Sequence, residues 1–156
     1  MEGQFSIRAF RPDDLEAVAA LEYGAFETNA YPGFFFRQAY DVFGELLRVA
    51  VTADERIAGY ILGGMQPGGT TGWILSIAVR KEYRRRGMGK KLMGEVIGLM
   101  RKRGVERIAL TVEPENTDAV EAYRRMGFET TGTEQDYFGE GEPRTTMIME
   151  LSRTIE

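Results

Sequence analysis

Short apolar runs in this chain alternate with stretches where apolar residues recur every three to four positions, the signature of strands interleaved with helices. Phe5-Ser6-Ile7-Arg8-Ala9-Phe10 alternates and predicts a first strand over 5–10. Pro12-Asp13 opens a helix, with Asp13 and Glu16 at capping-box spacing and Leu15, Val18 and Leu21 on its inner face. A loop carrying Asn29 and Tyr31-Pro32-Gly33 leads to a short aromatic helix over 34–43. "LRVAVTA" and "IAGYILGGM" read as two strands joined by the polar turn Asp54-Glu55-Arg56. "GWILSIAV" is nearly continuous in apolar residues, which predicts a central strand. Met88, Leu92, Val96 and Met100 step by four and predict an amphipathic helix over 88–103, stopped by Gly104. "RIALTV" follows as a strand, Asp118 to Met126 as a helix ending at Gly127, and "FETTGT" with "TMIMEL" as a closing antiparallel pair. The expected fold is α/β: a single domain over 1–156, with a mixed, mostly antiparallel sheet flanked by about four helices.

Composition narrows what this domain can do. At 156 residues, with 43% apolar and 28% charged residues, the chain is long enough for one real core and too apolar to be disordered. A net charge of −4 argues against a general nucleic-acid binder. No apolar run is long enough to cross a bilayer and the N-terminus has no signal-peptide pattern, so cytosol is the expected location, with no membrane partner. The chain has no cysteine and no histidine. That removes thiol nucleophiles, Ser-His-Asp chemistry and Cys- or His-based metal sites, and no acidic spacing resembles a calcium loop. Any catalysis must use carboxylates, tyrosine, lysine or backbone dipoles, and no metal is expected.

Between the central strand and the long helix lies "VRKEYRRRGMGKKLM", residues 79–93. Unpaired N–H groups at a helix start and the positive end of its dipole bind phosphate. Glycines there keep side chains out of the way, and arginines and lysines add charge. A pyrophosphate-bearing ligand is implied. A P-loop would need Ser or Thr at Lys91 and glycine at Arg84, and a dinucleotide fingerprint begun at Gly87 would need glycine at Leu92. Both are excluded.

What fits is Arg84-x-x-Gly87-x-Gly89 between a strand and a helix, followed by "VEPENTDAVEAYRRMGFE". With these segments, and in the order of its elements, the chain resembles the GNAT superfamily of acyl-CoA-dependent N-acetyltransferases over nearly its whole length. The resemblance implies acetyl-CoA as cosubstrate. It implies that backbone groups of Ile77, Ala78 and Val79 hold the pantetheine arm, and that Arg84, Arg85, Arg86, Gly87, Met88, Gly89 and Lys90 form the pyrophosphate loop. Asn116 matches a further cofactor contact, and Tyr123 the tyrosine that protonates the departing thiolate. A phenol of pKa near ~10 can serve a thiol of pKa about 8.5. Taken singly, Asn116 reads as a helix cap and Tyr123 as a core residue; their order behind the glycine loop favours the chemical reading. Direct attack of an amine on the thioester is the simplest mechanism, with the backbone N–H near Val79 polarising the carbonyl.

Within the superfamily the chain looks most like the RimI-like protein N-terminal acetyltransferases. "TNAYPGFFF" resembles their aromatic loop and "DYFGEGEPRTTMIM" their last hairpin, which makes Tyr31 and Tyr137 candidate walls of the acceptor site. The alternative is that these aromatics only pack the N-terminal helices. Many relatives carry a glutamate or histidine as general base where this chain has Thr111, and another position used by some is Gln66. Glu27 and Glu113 are the carboxylates nominated instead. At pH 7 a neutral α-amine costs about 1 kcal/mol and a neutral lysine about 4.6 kcal/mol, so a site without a strong base favours peptide or protein N-termini. A small-molecule amine acetyltransferase and a silent acyl-CoA-binding module are the competing readings.

Overall fold

A computed structural model of the chain describes residues 4–151. Seven strands form a mixed sheet accompanied by four helices, as the apolar pattern leads one to expect. Two compact units are distinguished, Met1–Gly64 with Ser76–Leu99 and Met65–Leu75 with Met100–Glu156.

The first unit contains β1 (Phe5–Ala9), α1 (Leu15–Phe26), α2 (Gly33–Phe43), β2 (Leu47–Thr52), nearly all of β3 (Ile57–Met65), the C-terminal half of β4 (Thr71–Val79) and most of α3 (Met88–Lys102). β1 pairs antiparallel with β2 and β2 with β3, and a register shift falls between Ala50 and Val51. All of β3 except its last residue is buried. That suits its continuous apolar run, since a strand covered on both faces has no polar side to show. Met88, Leu92 and Val96 form the buried stripe of α3. This helix lies close to β3. A Cβ added at Gly59 would sit 3.1 Å from the Ala78 carbonyl, 3.2 Å from Met88 Sδ and 3.3 Å from Leu92 Cδ1.

Entry into α1 differs from the expected Asp13–Glu16 box. Pro12–Asp14 is a 3-10 turn and the helix starts at Leu15. Asp13 is exposed, whereas Asp14 is buried, accepts the Arg11 N–H at 2.8 Å and holds the Arg8 guanidinium with both oxygens at 2.8 and 3.0 Å. A bidentate arginine pair outweighs a one-residue preference in capping position. Burial alone would raise the Asp14 pKa, but the Arg8 hydrogen bond and the Arg11 N–H overcome it and hold the carboxyl below its ordinary value. The inner face of α1 is Val18, Leu21 and, unexpectedly, Glu22.

The second unit orders the N-terminal half of β4 beside β5 (Arg107–Val112), then β7 (Arg144–Glu150), then β6 (Glu129–Glu134). Thr71–Ile74 runs parallel to Arg107–Leu110, and β5–β7 and β7–β6 are antiparallel. α4 (Thr117–Met126) ends where Gly127 takes φ 113°, a conformation glycine adopts without strain, and Phe128 N–H returns to the Tyr123 carbonyl at 3.0 Å.

Candidate functional site

In the first unit β4 delivers the chain to the glycine loop. Ala78 is buried, while Ile77 and Val79 are half-exposed on the opposite face of the strand. Arg80 secures the exit: its N–H reaches the Ala58 carbonyl and its guanidinium the Ile57 carbonyl, both at 2.7 Å. Arg84 turns back, its Nε donating to the Val79 carbonyl at 3.1 Å. That bond helps shape the loop. Arg85 follows at φ 66° and Gly87 at φ 80°. A non-glycine residue in that region costs roughly 1–3 kcal/mol, and such strain gathers at ligand clamps.

Met88 then begins α3, and Lys91 N–H closes the first helical bond on the Gly87 carbonyl at 3.0 Å. The N–H groups of Gly87, Met88, Gly89 and Lys90 precede the first acceptors a helix can offer, so they are the donors available to a phosphate. A Cβ at Gly87 would meet nothing within 4 Å, and one at Gly89 only Val79 Cγ2 at 3.9 Å. Neither glycine is demanded by packing at its side-chain position. Arg84, Arg85, Arg86 and Lys90 are exposed, and the Arg86 guanidinium lies 5.6 Å from the centre of the Tyr83 ring.

In the same unit, Tyr31 stacks on Phe35 at 4.4 Å and meets Phe36 edge-on at 6.4 Å. Glu27 is exposed, opening a 3-10 turn with φ 49° and ψ −118°. The reading from sequence overlooked Glu22, which is 1% exposed. Its Oε2 accepts the Tyr31 backbone N–H at 2.8 Å, and its Oε1 accepts both the Tyr60 and Ser76 hydroxyls. The signal was available: Glu22 stands four residues after Val18, on the face that should be apolar.

In the second unit Asn116 is the N-cap of α4, its Oδ1 accepting the Ala119 N–H at 3.2 Å. Tyr123 lies on that helix with its ring 6.0 Å from Phe128, edge-on. As a residue it is half-exposed, yet burial pushes its phenol up to about 12. Burial thus keeps the phenol protonated at neutral pH, able to donate a hydrogen bond. Thr111 faces Thr146 across the β5–β7 ladder. Gln66 accepts the Trp73 indole N–H at 2.8 Å. Glu113 lies 3.8 Å from the Arg144 guanidinium, and Tyr137 packs edge-on against Phe138 at 4.9 Å. Among the described residues no group of three or more acidic side chains is placed to hold a metal, and no helix is long and apolar enough to cross a membrane.

The chain is similar to known proteins over most of its length. The pattern of the Acetyltransferase (GNAT) family matches residues 13–128. An uncharacterized N-acetyltransferase of Methanocaldococcus jannaschii is 34% identical over 143 residues, covering 91% of this chain and 89% of that protein. An N-alpha-acetyltransferase of Saccharolobus solfataricus is 27% identical, covering 94% and 93%. The crystal structure of Ard1 from Thermoplasma volcanium superimposes with a TM-score of 0.86 at 26% identity, covering 96% of this chain and 99% of that one.

Proposed function

The chain belongs to the GNAT acetyltransferase family, and on that premise we propose that it moves the acetyl group of acetyl-CoA onto the α-amine of a peptide or protein N-terminus. The observation that carries the reading is the passage from β4 through Arg84–Gly89 into α3, where two glycines leave a helix N-terminus uncovered. That passage suits the pyrophosphate of coenzyme A. Residues 1–156 are assigned to the activity as one catalytic domain. Ile77, Ala78 and Val79 are assigned to the pantetheine arm, and Asn116 to a further contact made by its amide, since its oxygen caps α4.

The neutral amine nitrogen attacks the thioester carbonyl, the C–N bond forms, the C–S bond breaks, and coenzyme A leaves as thiolate. Tyr123 supports that thiolate by donating a hydrogen bond, and the proton lost by the amine passes to solvent or to a carboxylate, with Glu27 and Glu113 nominated. The finer assignment, to RimI-like enzymes acting on protein N-termini, is supported by the Tyr31-Pro32 loop and the hairpin carrying Tyr137, the proposed acceptor walls. That the similar protein of Saccharolobus solfataricus is named an N-alpha-acetyltransferase supports the α-amine. So does the absence of a histidine or carboxylate at Thr111, because an α-amine needs far less help than lysine to lose its proton.

Coenzyme A release is the test. It is measured with a peptide bearing a free α-amine, the same peptide with a blocked N-terminus and a free lysine, a panel of small amines, and no acceptor. The free α-amine peptide should be fastest. Equal or reversed peptide rates would refute the α-amine assignment, and release unaffected by any acceptor would refute acetyl transfer.

A further inference from the structure

A carboxyl group at a core position is the least economical way to fill space, because each of its oxygens must find donors. Glu22 finds three, and all are neutral: the Tyr60 hydroxyl from β3, the Ser76 hydroxyl from β4, and the Tyr31 backbone N–H from the segment between α1 and α2. Tyr60 and Ser76 also lie 2.9 Å from one another. These partners stand 38, 54 and 9 residues away in the chain, so one side chain ties three separate elements together.

What it ties is specific. The segment after α1 bends sharply at Glu27, in a conformation that a residue with a Cβ holds only when its surroundings fix both ends. One end is fixed by the Glu27 N–H on the Tyr23 carbonyl, and the other by Tyr31 N–H on Glu22. Tyr31 continues into an aromatic stack with Phe35, and buried Phe36 sets its edge against the Tyr60 ring at 5.5 Å. Tyr60 thus holds this segment twice, through its ring and through its hydroxyl. On the other side Ser76 directly precedes Ile77–Val79, the stretch assigned to the pantetheine arm. An apolar side chain at 22 would leave all three donors without this acceptor, so the carboxyl and its partners form one unit.

We propose that Glu22 is a positioning residue for the amine acceptor: it fixes the Tyr31 wall against the strand that holds the thioester. This rests on the acetyl-transfer reading above. It involves no proton transfer by Glu22 itself, which is buried and occupied by its three donors.

The test compares Glu22→Leu with Glu22→Gln. Leucine keeps the volume and removes every acceptor. Glutamine can still accept the Tyr31 N–H through its carbonyl while its NH2 donates to the two hydroxyls, which rotate to receive it. With a free α-amine peptide the leucine variant should show acceptor KM raised by about 10–100-fold. Its acetyl-CoA Kd by calorimetry should stay within about twofold, and the glutamine variant should restore acceptor KM to near wild type. A folded leucine variant with wild-type acceptor KM would overturn the proposal. So would a glutamine variant that loses kcat while keeping KM, since the charge would then be acting in the chemistry. If the leucine variant does not fold, Tyr60→Phe and Ser76→Ala remove single donors, and a rise in acceptor KM is expected from each; no change in either overturns the proposal. Amide hydrogen exchange at Tyr31 is read in parallel, protected in wild type and Glu22→Gln and released in Glu22→Leu. Were the wild type to acetylate no acceptor, the acetyl-transfer reading would fail by itself. Tyr31 protection that did not depend on Glu22 would sink the positioning role alone.

Discussion

Giving Gly89 a side chain should stabilise the protein and weaken its hold on acetyl-CoA. A Cβ there meets only Val79 Cγ2 at 3.9 Å, an ordinary contact, and the residue lies in the first turn of α3. Glycine in a helix costs about 0.5–1 kcal/mol relative to alanine, so Gly89→Ala should gain up to that amount. At about 2–4 °C per kcal/mol for a chain of this size, Tm should rise by about 1–4 °C. The same Cβ tilts toward the helix N-terminus, into the path of an anion approaching the free N–H groups. Gly89→Val sends two more carbons the same way. Loss of one charge-assisted hydrogen bond is worth about 1.5–3 kcal/mol, which corresponds to roughly 10–150-fold in Kd for acetyl-CoA. Gly98 supplies the control: it lies exposed on the same helix with nothing within 4 Å of its Cβ position, so Gly98→Ala should share the stability gain and keep wild-type affinity. Gly87 is a poorer probe, because at φ 80° any side chain adds backbone strain to the effect on binding. Calorimetric titration of acetyl-CoA, paired with thermal melts, reads both quantities. A folded Gly89→Val protein that binds acetyl-CoA within about twofold of wild type would refute the phosphate-loop assignment, as that is far below the expected loss.

Tyr123→Phe should lower kcat and kcat/KM together by about 10–150-fold in single-turnover experiments, the worth of one hydrogen bond to a charged atom, with acetyl-CoA affinity kept; wild-type turnover would strip Tyr123 of its role. The same residue bears on alkaline stability. An unfolded tyrosine ionises near ~10 and burial raises the folded Tyr123 to about 12, so its contribution is complete below the lower value and is lost as pH rises between them, by up to about 3 kcal/mol. Wild type should therefore lose more stability than Tyr123→Phe across that interval in alkaline denaturant titrations. Asp14→Asn should cost about 1–3 kcal/mol at pH 7, seen as a lower Tm. Because the folded Asp14 pKa lies below its ordinary value, this difference should be full above pH of about 4 and close as pH falls through the folded pKa.

Features written in neighbouring residues could be read directly from the sequence. The four-residue step of Met88, Leu92 and Val96, the helix stops at Gly104 and Gly127, and the strand-to-helix passage through Gly87 and Gly89 each depend on a few adjacent positions, and each stands in the structure. Features that depend on distant partners stayed hidden. Asp13 and Asp14 are equal caps by sequence, and Arg8 on β1 decides for Asp14. Glu22 reads as one more surface glutamate until Tyr60 and Ser76 fold over it. Glu113 carries no mark of Arg144, which lies beyond an entire helix and strand. The Tyr123 phenol could be located by motif, but its pKa is a property of its surroundings and not of its position in a pattern.

Gly59 carries no chemistry, yet it governs where chemistry can occur. Its missing side chain is the gap into which Met88 and Leu92 settle against β3, and Met88 is the first residue of α3. One added methyl group would crowd the Ala78 carbonyl oxygen, Met88 Sδ and Leu92 Cδ1, and these neighbours would have to give by a few tenths of an ångström. A side chain here would press on the first turn of the helix from behind, so an altered cofactor affinity in such a variant would be no sign that residue 59 touches the ligand.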